Sequence, residues 1–353
     1  MRFHGTQVAA GLLSALPGAQ ALLRFSCSQL VVERLDPLVN PGVVGSPPSS
    51  PDRRWRKFHE AINAFNASMD PAKLDIPGTA TCTTCQFADD FSNYWTAVLF
   101  FRARNGTYHR VPQKGNVFFE QANGGMTVYY TPTINGRGKV TAFKPGFRMI
   151  VGDPMERTAA GAAKYRQLTY TCLQNSMTRT GETKNLPPKP CPAGIMANIR
   201  FPTCWDGVNL DSPDHASHVA YPTSGTFESS GPCPSTHPVK IPQLFYEVIW
   251  DTSQFNNAAD WPADGSQPFV WSYGDATGYG THGDYVFGWK GDALQRAMDQ
   301  NCQNDKCNGL GSQSLQQGNK CTVKTTVDEN IDGWLDELPG GMKVTDASGK
   351  VVY

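Results

Sequence analysis

Along most of the chain, apolar and polar residues alternate in short runs rather than recurring at helical spacing. LVVERL, WTAVLFFRAR, NVFFEQ, MTVYYTP, VTAFKPGFRMIVG, LTYTCL, ANIRFP, LFYEVIW, PFVWSYG and DYVFGW are mostly rich in β-branched and aromatic side chains and bounded by Gly, Pro or Asn. Such runs predict strands. Asn123-Gly124-Gly125 and Asn135-Gly136 are turn signals. Helical spacing is clear only in GDALQRAMDQNC (291–302), where Leu294, Ala297 and Met298 share a face; AAGAAKYRQ (159–167) is a weaker second segment. No internal repeat or Gly/Ser linker divides residues 22–335. The pattern predicts an all-β protein with one or two short helices. Its expected form is a single large sandwich or jelly-roll-like domain over residues 22–336, followed by a small polar tail, 337–353, that is loosely held.

The first residues break this pattern. In MRFHGTQVAAGLLSALPGAQALL one Arg precedes an apolar run from Val8 to Leu16, and Ala19-Gln20-Ala21 is a small-x-small cleavage site. Residues 1–21 therefore read as a secretory signal peptide, and the mature chain as extracellular. No later segment has eighteen uninterrupted apolar residues, so no membrane span is expected. Ten cysteines (27, 82, 85, 172, 191, 204, 233, 302, 307 and 321) all follow the cleavage point. An even number in an exported chain implies up to five disulfides, with pairing left open. Cys82-Thr-Thr-Cys85, without a second such pair, and Cys302 and Cys307 read as disulfide cysteines rather than as redox or zinc sites. Asn66-Ala-Ser68 and Asn105-Gly-Thr107 are acceptor sequons for N-linked glycans.

Charge adds an exclusion. Lys plus Arg and Asp plus Glu both number 31, so no general electrostatic attraction to nucleic acid or to an anionic membrane is expected. Frequent Gly (34) and Pro (26) agree with a turn-rich β fold.

Four of the seven histidines fall in Gly/Pro/Asp-rich loops between 215 and 282. In CWDGVNLDSPDHASHVAYP, Ser212 can cap a short turn with Pro213 at its first position. His215 and His218, three apart, would then share a face, a spacing that lets two imidazoles meet one metal ion or one substrate. Asp211 or Asp214 could orient a ring through its second nitrogen. The plainer alternative is a loop whose histidines satisfy backbone carbonyls. His237 in GPCPSTHPVKIPQ is pinned between Cys233 and two prolines. His282 in GYGTHGDYVFGW precedes Gly283, which admits close backbone approach, and Asp284, a candidate acid, base or ligand. The expected site is one pocket built from His215, His218, His237, His282 and Asp284, with a divalent metal on His215, His218 and His282. Trp271, Tyr273, Tyr279, Tyr285, Phe287 and Trp289 crowd the same region. Trp271, Tyr279 and Trp289 are the candidate sugar-stacking rings, and core packing is expected to claim at least half of the six. No N-terminal histidine for a copper brace and no Gly-x-Ser-x-Gly elbow is present.

LVVERLDPLVNPG, CTTCQFADDFSNYWTAVLFFRARNGTYHRVPQ, CWDGVNLDSPDHASHVAYP, CPSTHPVKIPQ and THGDYVFGWKGDALQRAMDQNC together resemble the fungal secreted family catalogued as a domain of unknown function, number nineteen ninety-six. The resemblance covers nearly all of residues 25–336 and implies a secreted fungal protein, without a settled reaction. The family's relatives often carry WSC-type carbohydrate-binding modules; none is recognisable here.

One stretch departs from it. After the Asn-Pro-Gly turn the family resembles SPHLHQIVGG followed by NAFN, whereas this chain reads SPPSSPDRRWRKFHEAINAFN, with Arg53, Arg54, Arg56 and Lys57 around Trp55. Shifting the frame one base within Pro48 permits His, Leu, His, Gln, Ile, Val and Gly in succession, and the trailing bases of Trp55 force a second Gly. Residues 48–62 thus read as an out-of-frame or mis-spliced segment, the alternative being a true basic arm. This polypeptide then lacks two histidines that the resemblance supplies, and His59 carries no role.

Two functions follow as expectations. One is a carbohydrate-active hydrolase or lyase acting on cell-wall or extracellular polysaccharide through the His/Asp loops. The other is a non-catalytic glycan-binding protein of the wall.

Overall fold

The computed structural model describes residues 22–35, 38, 59–61, 75–132, 139–179, 181–225, 231–300, 302–325 and 327–352, of which 59–61 as backbone only. The leader, the Asn66 sequon and most of segment 48–62 lie outside these residues.

In chain order the strands that build the molecule are β1 (Leu22–Cys27), β2 (Asn93–Thr96), β3 (Leu99–Arg102), β4 (Tyr108–Arg110), β5 (Met126–Thr131), β6 (Arg148–Gly152), β7 (Leu168–Cys172), β8 (Ile195–Arg200), β9 (Gln243–Trp250), β10 (Phe269–Trp271), β11 (His282–Val286) and β12 (Trp334–Leu335). The large sheet runs β7-β8-β9-β5-β1, antiparallel throughout, with Glu182–Thr183 added beyond β7 and Gln303–Asn304 beyond β1. Two smaller sheets, β2-β11-β6 and β10-β3-β4-β12, complete the frame that matters for function. The backbone of His59–Ala61 pairs with Val31–Glu33.

Alternation decides which face of each strand is buried. In β1, Leu23, Phe25 and Cys27 are fully buried while Arg24 is half-buried on the other face. Val128 and Tyr130 of β5, and Leu244, Tyr246, Val248 and Trp250 of β9, extend the same buried layer. That layer packs on the β2-β11-β6 sheet. The Tyr94 and Tyr246 rings meet edge-on at 5.7 Å, and the Tyr246 hydroxyl donates to the Asp284 carbonyl across the layers at 3.0 Å. Two facing sheets around one aromatic core make the fold sandwich-like, as the alternation implied. The main core cluster draws on residues from Leu23 to Val344.

The outer face of the large sheet carries a cross-strand ladder. Arg24 is paired with Tyr129, Tyr129 with Phe245, and Phe245 with Arg200, on four successive strands. Tyr129 stacks on Phe245 at 4.9 Å, and the Arg200 guanidinium sits 4.7 Å over the Phe245 ring. Beside it, Glu247 accepts hydrogen bonds from Asn116 Nδ2, the Tyr129 hydroxyl and Arg179 Nη1, each at 2.7 Å.

The helix expected at 291–302 forms at Ala293–Met298 and buries the anticipated Leu294, Ala297 and Met298. The second expected segment is one turn, Ala159–Ala162, continued as a 3-10 turn to Tyr165. NVFFEQ is not a strand. Phe118 turns there with φ +72, its ring exposed, while the Phe119 ring is buried and lies 4.5 Å beneath the Arg24 guanidinium. Of VTAFKPGFRMIVG only Arg148–Gly152 is extended, because Pro145 and Gly146 break the ladder. Residues 337–352 of the expected tail are not loosely held: Leu338 and Val344 are buried, and Thr345 N donates to Gly274 O at 2.8 Å. Two apolar side chains dock this segment against the core, so its polar composition misleads.

All ten cysteines are paired, as 27–85, 82–321, 172–191, 204–233 and 302–307. Cys82 and Cys85 serve different partners, which rules out a closed two-cysteine redox loop between them. Cys82–Cys321 ties residues 239 positions apart, the type of long-range link that restricts the unfolded chain most.

Candidate functional site

The loop from Asp206 to His218 lies along one edge of β6. Ile150 N donates to His215 O at 2.8 Å, and His218 Nε2 donates to Arg148 O at 2.9 Å. Asp214 organises the turn: its Oδ1 accepts from Ser212 Oγ, Ala216 N, Ser217 N and Ser217 Oγ. Burial raises its pKa, but these four donors outweigh that and leave the carboxyl well below the ordinary range. Asp214 is thus committed to the backbone.

Asp211 takes the orienting role. Its Oδ1 accepts from His215 Nδ1 at 2.7 Å and its Oδ2 from Arg148 Nε at 2.5 Å. Partial burial raises Asp211, yet the hydrogen bonds from His215 and Arg148 and the Arg148 guanidinium charge dominate, and its pKa is lowered overall. An ionised Asp211 fixes the imidazole with Nδ1 protonated and Nε2 as the free lone pair. His215 itself has φ +53, a left-handed conformation uncommon outside glycine and costly for a histidine. Its side chain is 17% exposed, and among the described residues Nε2 has no hydrogen-bond partner.

The other expected histidines are placed differently. His218 is buried, with Ser212 Oγ 2.9 Å from Nδ1 and Arg148 O bound by Nε2; burial lowers its pKa. Both ring nitrogens are spent on structure. His237 packs beside the same loop, donating from Nε2 to Ser217 O at 3.0 Å, with Thr236 Oγ1 2.9 Å from Nδ1. His282 stands across the sheet. It pairs with Gly152 at the far end of β6 from Arg148, about 13 Å along a strand rising ~3.3 Å per residue. It is buried between the rings of Trp95 and Tyr273 and donates from Nδ1 to Gly280 O. The four imidazoles therefore do not share a pocket. Among the described residues, the group of three His, Cys, Asp or Glu ligand atoms within 4.8 Å of one another is Asp90 with Cys27 and Cys85, whose sulfurs are tied up in a disulfide, and it contains no histidine. His215, His218 and His282 do not fit a common divalent metal.

The 275–284 region looks chemical in sequence but is structural. The buried Asp275 carboxylate accepts from Thr277 N, Thr277 Oγ1, Gly278 N and Gly280 N, and so shapes the loop before His282. Gly283 leaves room not for substrate but for Ile199 of the facing sheet, whose Cγ2 would lie 3.0 Å from an added Cβ. Asp284 is buried, on the face of its strand opposite Gly283. Trp271 and Trp289 are likewise buried, donating from their indoles to Tyr170 and Tyr130. A ring sealed in the core cannot stack on a sugar, so these two are corrected to packing residues. Tyr279 remains half-buried.

The sequence reading passed over Trp334. It is 58% exposed on β12 and borders a surface hollow of about 490 Å³ lined by Ala103, Arg104, Asn105, Thr107, Ala259 and Asp260. Ala103 and Arg104 also line a neighbouring hollow of about 670 Å³. The available signal was its setting: a lone Trp in IDGWLDE, among acids and a glycine, fits no apolar face.

Comparison with known families finds one profile, described as Domain of unknown function (DUF1996), that matches residues 36–289. Neither a curated protein nor a solved structure matches the chain.

Proposed function

The chain belongs to the DUF1996 family of unknown function, and we propose that it is an exported protein acting on extracellular polysaccharide by proton transfer at His215. The supporting observation is the Asp211–His215 contact at 2.7 Å, with Arg148 bracing the carboxylate. A carboxylate-held imidazole presents one defined lone pair, suited to taking a proton from water or a sugar hydroxyl and returning it to a leaving oxygen. Residues 1–21 act as the export leader. Five disulfides and, among the described residues, no helix long and apolar enough to cross a membrane are compatible with this. The partner is polysaccharide rather than nucleic acid.

Turnover on a polysaccharide panel tests the reading. His215→Ala is expected to lower released oligosaccharide by about 10²-fold or more, and Asp211→Asn to lower it while shifting the pH profile. His237→Gln is expected to leave turnover near wild type. Glycan retention without turnover by the wild-type protein would overturn the catalytic reading and leave a binding protein.

Residues 48–62 are, in the same proposal, an out-of-frame segment. Transcript sequencing across codons 40–70 is expected to spell HLHQIVGG one base over from Pro48. Codons that cannot do so end that idea.

A further inference from the structure

Asn105 lies at the tip of the hairpin joining β3 to β4. Ala103 N donates to Thr107 O at 2.8 Å and Gly106 N to Ala103 O at 2.9 Å, closing the turn. The sequon Asn105-Gly106-Thr107 is therefore held on an exposed loop. Asn105 Oδ1 accepts from Thr107 N at 3.1 Å and Thr107 Oγ1 at 2.8 Å, which leaves the amide nitrogen unengaged by these bonds.

The hollow that Asn105 borders has the mixed character a sugar requires. Its lining combines the exposed Trp334 indole, Ala103 and Ala259 with the polar Arg104, Thr107 and Asp260. This wall is held in place. Trp334 pairs with His109 and its ring meets that imidazole edge-on at 5.1 Å. Arg104 Nε donates to Trp261 O at 2.7 Å. A ring face carries negative charge density, which the weakly positive C–H face of a pyranose complements.

We propose that Asn105 carries an N-linked glycan whose first sugar lies in this hollow against the Trp334 indole. This rests on the export reading, since the donor is a lipid pyrophosphate-linked oligosaccharide met during secretion. The bond from Asn105 Nδ2 to sugar C1 forms as the C1–oxygen bond to pyrophosphate breaks, and the amide gives up one proton. The glycan then covers the most exposed apolar ring near the hairpin, so that Trp334 serves the protein's own modification rather than a free ligand.

The protein secreted from a eukaryotic host tests this. Intact mass before and after enzymatic deglycosylation, with Asn105→Gln and Asn66→Gln variants, locates the glycan. In a Trp55→Phe background, iodide quenching of tryptophan fluorescence then reports Trp334, because Trp95, Trp205, Trp250, Trp261, Trp271 and Trp289 are buried. Trimming to a single sugar is expected to leave quenching unchanged, whereas complete removal increases it. Complete removal is also expected to lower Tm by roughly 2 °C in the wild type and by nothing measurable in Trp334→Ala. A secreted chain with Asn105 bare, or quenching and Tm indifferent to complete removal, overturns the inference while leaving export intact. A chain retained in the cell without glycan at either sequon overturns both.

Discussion

Asp90→Asn is expected to remove a fall in stability that the wild-type protein shows as pH rises from about 4 through about 7. Asp90 is fully buried, and burial pushes its pKa from the ordinary 3.8 up to about 7 against the hydrogen bonds from Tyr94 and Ser92. It heads a sealed chain of hydroxyls. Tyr94 donates to Asp90, the Tyr94 and Tyr130 hydroxyls lie 2.8 Å apart, Tyr130 donates to Tyr285 at 2.9 Å, and Trp289 donates to Tyr130 at 3.1 Å. The folded pKa lies above the unfolded one, so the folded state holds a proton that the unfolded chain has released. The stabilisation is complete below about pH 3.8 and is lost as pH rises through 7. At 1.36 kcal/mol per unit the difference approaches about 4 kcal/mol at most. Urea unfolding of wild type and variant at a series of pH values measures it. Parallel curves between pH 4 and 8 would show that Asp90 is not the group that titrates. The strong shift does not make Asp90 catalytic, since no substrate atom can reach it.

Glu247→Ala is expected to cost about 3 kcal/mol or more, with no change in the shape of the fold. The carboxylate is 8% exposed and ion-paired with Arg179. Removing it strands that guanidinium, while Asn116 and Tyr129 lose an acceptor. Breaking one side of such a pair is far costlier than replacing both sides by apolar groups of similar volume. The double variant Glu247→Leu, Arg179→Met is therefore expected to recover most of the loss. Denaturant midpoints for the single and double variants close the cycle. A single variant within about 0.5 kcal/mol of wild type would mean that the network contributes nothing net.

The strands with uninterrupted apolar and aromatic residues were legible because both their faces, or one face and the ladder beside it, are buried. LFYEVIW is such a run, although nothing in it told that its single Glu247 is the hub of a buried polar network. The strand LLRFSC escaped because it follows directly on an apolar leader and its alternation merges with the leader's hydrophobicity. NVFFEQ misled because its two phenylalanines suggested a ladder, whereas they bracket a turn over Arg24. The histidine loops were recognised, and Asp211 was named as one of two candidates to orient a ring. What the residues could not convey is that His218 and His282 face inward. Imidazoles hydrogen-bonded to carbonyls and imidazoles aimed at solvent have the same sequence.

The sequence by itself determined the class of fold and, through the motifs it shares, the family. The first follows from local periodicity, and the second from a resemblance carried by long motifs whose residue order is itself the signature. Only the tertiary structure decided which cysteines meet, which aromatic rings are sealed and which histidine keeps an open nitrogen. Those outcomes depend on the packing of two sheets whose strands are distant in the chain. A contact such as Ile199 against Gly283, or Asp211 between Arg148 and His215, exists only once that packing is complete.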